Sequence, residues 1–264
     1  RGIWWGGYVN EPRDGLIRLQ WEFMLTGASN CNLWYTAEPG STMGIGNGAY
    51  EIAPYYEKEL PHLEALRWGA GHQLVVTPLY RQGLALWYSH ESNRAAELDE
   101  TAVQPGDTQN AFIDYCYRRG LGLEIITKNR LDALRRQKVV VLAGCHALGD
   151  DEIAALHEFA KNGGYILSDC EPCRFTKWMT RRADKPLHGA VAETFSPLGT
   201  LRRKMKDDAA FDAKVTSLLV PAGIRPVLRL TGAEKAPRTI LRLRQGADFL
   251  LAGVLFPQEA DGGS

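Results

Sequence analysis

Four short apolar runs between positions 83 and 169 organise this chain. They are Gly83-Leu-Ala-Leu-Trp-Tyr-Ser, Leu121-Gly-Leu-Glu-Ile-Ile-Thr, Val139-Val-Val-Leu-Ala and Tyr165-Ile-Leu-Ser-Asp. Their continuous apolar character, rather than strict alternation, predicts strands covered on both faces. Between them the period changes. Residues 107–119 place Phe112 and Cys116 on one helical face. Ile153, Leu156, Phe159 and Ala160 recur at helical spacing, behind Asp150-Asp-Glu and ahead of Gly163-Gly164. An acidic opening and a closing glycine are helix caps. Strands and helices alternating at this length make right-handed crossovers and a parallel sheet, so the fold class is α/β.

Upstream, residues 2–9 and 32–36 read as strands separated by an amphipathic stretch at 16–25, and a second helix at 55–68 is expected to end at Gly69-Ala70-Gly71. This strand-helix-strand-helix fragment is too small to close on itself. Downstream of Cys173 the pattern weakens. Residues 174–206 are basic and polar, and two strands at 238–243 and 248–256 form an antiparallel pair turned at Gln245-Gly246.

With 264 residues, two or more units are expected, each large enough to bury a core. Hydrophobic residues make up 45%, charged residues 23%, and the formal net charge is zero, so the chain lacks the field of a nucleic-acid binder and the signature of disorder. The basic stretch at 174–206 has few interleaved aromatics and adjoins Asp207-Asp208, which reads as a solvated surface or interface and not a nucleic-acid patch. No apolar run approaches the roughly 20 residues that span a bilayer. The chain opens at Arg1, which points to a trimmed start, and a targeting segment could precede it, so localisation stays open. Five scattered cysteines argue against a disulfide framework. Cys170-Glu-Pro-Cys173 has the spacing of a redox or zinc half-site, but no second ligand pair follows at suitable spacing.

Three segments, read in order, resemble glycoside hydrolase family 42 β-galactosidases. Trp21-Glu-Phe-Met-Leu-Thr-Gly-Ala-Ser with Asn32-Leu-Trp-Tyr is similar to the family's seventh helix and eighth barrel strand. Leu84-Ala-Leu-Trp-Tyr-Ser-His-Glu-Ser is similar to the first strand of the domain behind the barrel. The run from Val139 through Gly144-Cys-His to Asp150-Asp-Glu and Gly163-Gly is similar to that domain's third strand and following helix. The resemblance covers roughly residues 1–170. It implies the last strands of a (β/α)8 barrel at 1–78, a flavodoxin-like, class I glutamine amidotransferase-like parallel sheet at 79–200, and a small C-terminal β region at 201–264.

The resemblance further implies retaining hydrolysis of a β-galactoside by an acid/base and a nucleophilic carboxylate about 5 Å apart, with the second domain serving homo-oligomer assembly. One carboxyl must hold a proton for the leaving oxygen while the other stays ionised to attack. Asn10-Glu11-Pro12 has the look of the acid/base pair of related barrels. Only one strand-helix pair separates it from the second domain, so by order Glu11 is a candidate nucleophile, the other reading being an exposed loop carboxylate. Glu38 is a weaker candidate of the same kind. Trp34 is the candidate sugar-stacking residue, with a core position as its alternative, whereas Trp5 reads as core. No metal or cofactor is expected.

Other constellations fall short. Cys145-His146 follows a strand where a glutaminase nucleophile would sit, but the flanking glycines of a nucleophile elbow are missing. Ser89-His90-Glu91 are sequence neighbours that cannot converge on one reacting atom, so a turn or cap is expected there. Gly44-Ile-Gly46-Asn-Gly48 lacks the helix that a phosphate cradle needs. Three functions remain open: a glycosidase fragment acting on a carbohydrate, a non-catalytic assembly or ligand-binding domain, and thiol chemistry at Cys145.

Overall fold

The computed structural model describes residues 4–7, 13–27, 30–33, 61, 64–98, 103–205, 208–228, 230 and 240–255. The chain forms two compact units, one of residues 1–80 with 240–264 and one of residues 81–239.

The first unit opens with β1 (Trp4–Gly7), α1 (Arg13–Thr26) and β2 (Asn30–Leu33). The strands are parallel, with Trp4 opposite Asn30 and Gly7 opposite Leu33, so α1 is a crossover helix. The second strand starts two residues before its expected place, because Asn30 and Cys31 complete the ladder beside Trp4 and Trp5. Residues 64–68 are helical, and α2 (Ala70–Val76) follows at once. The first helix thus ends at Trp68, at the expected place, and Ala70 opens a further helix that was not expected. A Cβ at Gly71 would lie 1.8 Å from the Leu66 carbonyl oxygen. Gly71, inside that further helix, serves a close approach of two helical segments.

The second unit contains the doubly wound sheet. Its elements are β3 (Leu84–Trp87), α3 (His90–Leu98), α4 (Pro105–Arg118), β4 (Leu123–Ile126), a 3-10 segment (Lys128–Arg136), β5 (Val139–Leu142), β6 (Ala147–Leu148), α5 (Asp150–Lys161), β7 (Tyr165–Ser168), β8 (Phe175–Thr176), β9 (Glu193–Thr194), α6 (Leu198–Lys204) and α7 (Asp208–Leu219). Five strands form one all-parallel sheet in the order β4-β3-β5-β7-β9. This is the flavodoxin-like order, with its switch point between β3 and β5. The four expected strands are all present. β9 adds a fifth that two residues, Glu193 and Thr194, could not announce.

The pleat splits each strand between two cores. Leu84, Leu86, Val139 and Val141 pack with Phe112, Tyr115 and Cys116 of α4 and with Phe211 and Val215 of α7. Ala85, Trp87, Val140, Leu142 and Ile166 pack with Leu134 and with Ile153, Leu156 and Phe159 of α5. Burial on both faces explains why these strands read as continuous apolar runs. Glu152 reaches back to the Gly149 N–H at 2.7 Å to open α5. At its other end, the N–H groups of Gly163 and Gly164 return to the carbonyls of Ala160 and Phe159 at 3.0 and 2.9 Å.

The chain then adds the antiparallel pair β10 (Ile240–Gln245) and β11 (Leu250–Leu255) to the first unit. Gln245 pairs with Leu250, so the turn lies at 246–249, closed by the Gly246 N–H on the Phe249 carbonyl at 3.0 Å, one step later than expected. Within that unit α1 packs against α2 and against the hairpin, where Leu25 occupies the space left by Gly253.

Candidate functional site

Doubly wound sheets take ligands beyond the carboxyl ends of their strands at the switch point. In the second unit that edge carries Ser89 after β3, Gly144-Cys145-His146 after β5 and Asp169-Cys170 after β7. Asp169 is fully buried and lies at the centre. It accepts the Gly144 N–H at 2.7 Å, the Leu198 N–H at 3.4 Å and the Thr108 hydroxyl. Thr108 Oγ1 in turn accepts the Gly199 N–H at 3.3 Å. One carboxyl thereby ties the loop after β5 to α4 and to the start of α6. Burial pushes its pKa above the usual carboxylate range, against the pull of these donors. Gly144 has φ +63°, and a Cβ there would lie 2.7 Å from Pro105 Cα, so the first turn of α4 presses on the loop.

The other reactive residue types at this edge also turn inward. Cys145 is fully buried, its Sγ 3.8 Å from the Trp87 carbonyl oxygen, and burial drives its thiol well above the ordinary range. His146 Nε2 lies 2.7 Å from the Val103 carbonyl and Nδ1 lies 3.9 Å from Cys170 Sγ. A nucleophilic thiol needs an accessible thiolate. Cys145 has the opposite environment, which removes the thiol reading. Ser89 accepts the Ser92 N–H at 3.0 Å and donates to the Ala147 carbonyl at 2.8 Å, so it caps α3. Glu91 is ion-paired with Lys128. Among the described residues no group of three His, Cys, Asp or Glu side chains could hold a metal. A cleft of about 940 Å³ opens at the opposite, amino edge of this sheet, beside Lys138, Phe159 and Tyr165.

The first unit holds the two site residues expected from the sequence. Glu11 and Trp34 lie outside the described residues, as do Glu38 and the glycines at 44–48, and the side chain of Trp5 is likewise not described. Their strands are described. Trp34 follows directly on β2, and Glu11 comes four positions after the end of β1. Because β1 and β2 are adjacent and parallel, both strands end on one edge of the pair.

Sequence reasoning missed Arg244 in this unit. It is buried on β10, donates to the Thr77 carbonyl at 2.9 Å and to the Met24 carbonyl, and so serves the C-terminal ends of α2 and α1. Neither helix has a basic residue in its own last turn. Burial, with Arg242 nearby, lowers its pKa to about 10.

No protein-family model matches the sequence, and no curated protein does. Solved structures do match. A β-galactosidase of glycoside hydrolase family 42 from G. stearothermophilus superposes with a TM-score of 0.65 at 12% identity, over 90% of this chain and 44% of its own. A β-galactosidase from Bacillus circulans sp. alkalophilus gives 0.66 at 11%, over 90% and 45%. What they share with this chain is the fold. The α-L-fucosidase isoenzyme 2 of Paenibacillus thiaminolyticus shares it too, at 0.60 and 10% identity, over 95% of this chain and 48% of its own. The chain spans less than half the length of each of these enzymes. Among the described residues no helix is long and apolar enough to cross a membrane.

Proposed function

We propose that this chain is part of a glycoside hydrolase of the family 42 β-galactosidase type. Residues 1–78 supply the last strands of a (β/α)8 barrel, the unit of residues 81–239 is an amidotransferase-like domain that serves homo-oligomer assembly, and the hairpin of β10 and β11 is a C-terminal β region. The observation that carries the reading is the order of elements. A parallel strand-helix-strand unit precedes a five-stranded sheet of flavodoxin-like order, and that succession coincides with family 42 β-galactosidases over 90% of the chain.

In this reading Glu11 is the nucleophile of a retaining reaction on a β-galactoside, and Trp34 stacks on the sugar. The ionised Glu11 attacks the anomeric carbon while an acid/base carboxyl, on a barrel strand outside this sequence, protonates the leaving oxygen; water then hydrolyses the glycosyl-enzyme. Strand-end positions on one edge are where barrel enzymes keep such groups. The filled carboxyl edge of the second unit favours a non-catalytic role for that unit by itself.

The test uses the longest natural protein that contains these residues. Turnover of an aryl β-galactoside, compared with an aryl α-L-fucoside, reads the substrate class. Glu11→Ala should abolish turnover, and added azide should restore it by attacking in place of the missing carboxylate, giving the glycosyl azide of inverted configuration. A Glu11→Ala protein with unimpaired turnover sinks the assignment.

A further inference from the structure

The cleft of about 940 Å³ at the amino edge of the sheet lies wholly within the second unit. It meets the starts of β5 and β7, where Lys138 and Tyr165 stand. The 3-10 segment, the second half of α5 and a further 3-10 turn (Val220–Ala222) supply the rest of its lining. Two glycines keep it open. Gly163 follows α5 with φ +87°, and a Cβ there would meet nothing within 4 Å. At Gly164 a Cβ would lie 2.3–2.4 Å from the Phe159 ring, so that ring rests on bare backbone. Phe159 is buried and Tyr165 half-buried, which gives the cleft an apolar part.

Its polar part carries both signs of charge. Asp132 and Arg135 come from the 3-10 segment, Lys138 from the residue before β5, and Glu158 from α5. Asp132, Arg135 and Lys138 are exposed, and among the described residues their charged groups have no ion pair or hydrogen bond. Glu158 Oε1 accepts the Asn162 amide at 2.8 Å, which leaves its second oxygen and the Asn162 carbonyl open. Two cations thus face a ligand together with two carboxylates, and that balance selects its chemistry. A phosphate ester or a nucleic acid calls for a field of one sign. A lipid tail would strip water from the charged groups and return no hydrogen bonds. An amino acid matches the charges but leaves most of the cleft empty. A neutral saccharide meets every demand. Each hydroxyl both donates and accepts, so cations and carboxylates serve it equally, and the C–H face of a pyranose suits the apolar part. The volume is that of a small-molecule site, about 300–1,000 Å³.

We infer that this cleft is a non-catalytic binding site for a neutral saccharide, whose hydroxyls bond Asp132, Arg135, Lys138 and Glu158. That the saccharide is a galactoside rests on the glycosidase reading; that it is neutral and hydroxyl-rich does not. Doubly wound folds keep reacting ligands at the carboxyl edge, so the amino-edge site holds a glycan without turning it over. The probes are lactose, maltose and galactose 6-phosphate, titrated calorimetrically into the purified chain. Lactose binds with an affinity that salt leaves unchanged, because it carries no charge to screen, and galactose 6-phosphate binds no more tightly. Asp132→Ala and Arg135→Ala each weaken lactose binding at least about tenfold, as expected for one lost hydrogen bond to a charged group. The thermal midpoint holds in both, since neither side chain has a partner among the described residues to lose. Absence of binding by both disaccharides, binding that neither variant weakens, or tighter, salt-sensitive binding of galactose 6-phosphate overturns the proposal. So does binding abolished by Trp34→Ala and untouched by the cleft variants, which would move the sugar to the first unit. Cleft-dependent binding in a protein without aryl β-galactoside turnover would retain the site and remove the hydrolase. Turnover that depends on Glu11, without cleft-dependent binding, would do the opposite. Maltose bound in preference to lactose would keep the saccharide site and separate it from galactosides.

Discussion

Asp169 carries the most demanding prediction of the second unit. Asp169→Ala strands the N–H groups of Gly144 and Leu198 and the Thr108 hydroxyl in a site with no exposure. A buried donor left without its acceptor costs about 1–3 kcal/mol. The hydroxyl can turn elsewhere, so the two amides and the lost packing sum to about 3–5 kcal/mol, as expected for a broken buried network. Asp169→Asn is far milder. Its oxygen still accepts the Gly144 N–H, and its amide nitrogen can donate to Thr108 Oγ1. Only the longer bond from Leu198 is lost, while the cost of burying a charge disappears, so the net loss is about 1 kcal/mol.

The same residue sets a pH dependence. Burial raises the folded carboxyl above its ordinary value of 3.8, so the unfolded chain releases this proton first as pH rises. The contribution is complete below the unfolded pKa and is lost as pH passes through the folded one; Asp169→Asn removes that slope. Hydrogen exchange at the Gly144 and Leu198 amides is the assay, because a chain of two units need not unfold in one step. If Asn proves as damaging as Ala, or if the slope survives in Asp169→Asn, the carboxylate is not the acceptor hub described.

Two further outcomes follow from buried groups. Arg244→Met loses two charge-assisted hydrogen bonds, worth about 3–6 kcal/mol together, but escapes a burial penalty of about 3 kcal/mol, given a pKa lowered from 12.5 to about 10. The net destabilisation of up to about 3 kcal/mol should appear as faster amide exchange in the last turns of α1 and α2; unchanged exchange there would refute the clamp. Cys145 and Cys173 are fully buried with raised thiol pKa values, that of Cys173 pushed up to about 12, so iodoacetamide at neutral pH should leave both unmodified until denaturant is added. Rapid native alkylation of Cys145, read by peptide mass spectrometry, would restore the thiol-chemistry reading.

The core strands were legible because burial on both faces leaves a mark in one dimension. Val139-Val-Val-Leu carries no polar interruption. β10 shows how the same reasoning misleads. Ile240-Leu-Arg-Leu-Arg alternates as if the arginines faced water, yet every residue from 240 to 244 is buried, and Arg244 is inside because two helix ends need a cation. Gly71 misled in a related way, since it lies inside a helix and serves a close approach, whereas Gly69 marks the expected break. Asp169 was visible as an acid closing a strand. Its role was not, because Thr108 lies 61 positions away in sequence and Leu198 lies 29 positions away.

The second unit has the residue types of an active site and uses them as structure. A serine, a cysteine, a histidine and an aspartate stand at the carboxyl edge where doubly wound folds do chemistry. Ser89 caps a helix and binds Ala147. Cys145 faces the Trp87 carbonyl and His146 the Val103 carbonyl, while Asp169 binds two amides and a hydroxyl. Each has its polar atom committed to the protein's own backbone or to a neighbouring hydroxyl, so a substrate carbonyl would have to break a buried bond to reach any of them, at the cost of leaving a group unsatisfied.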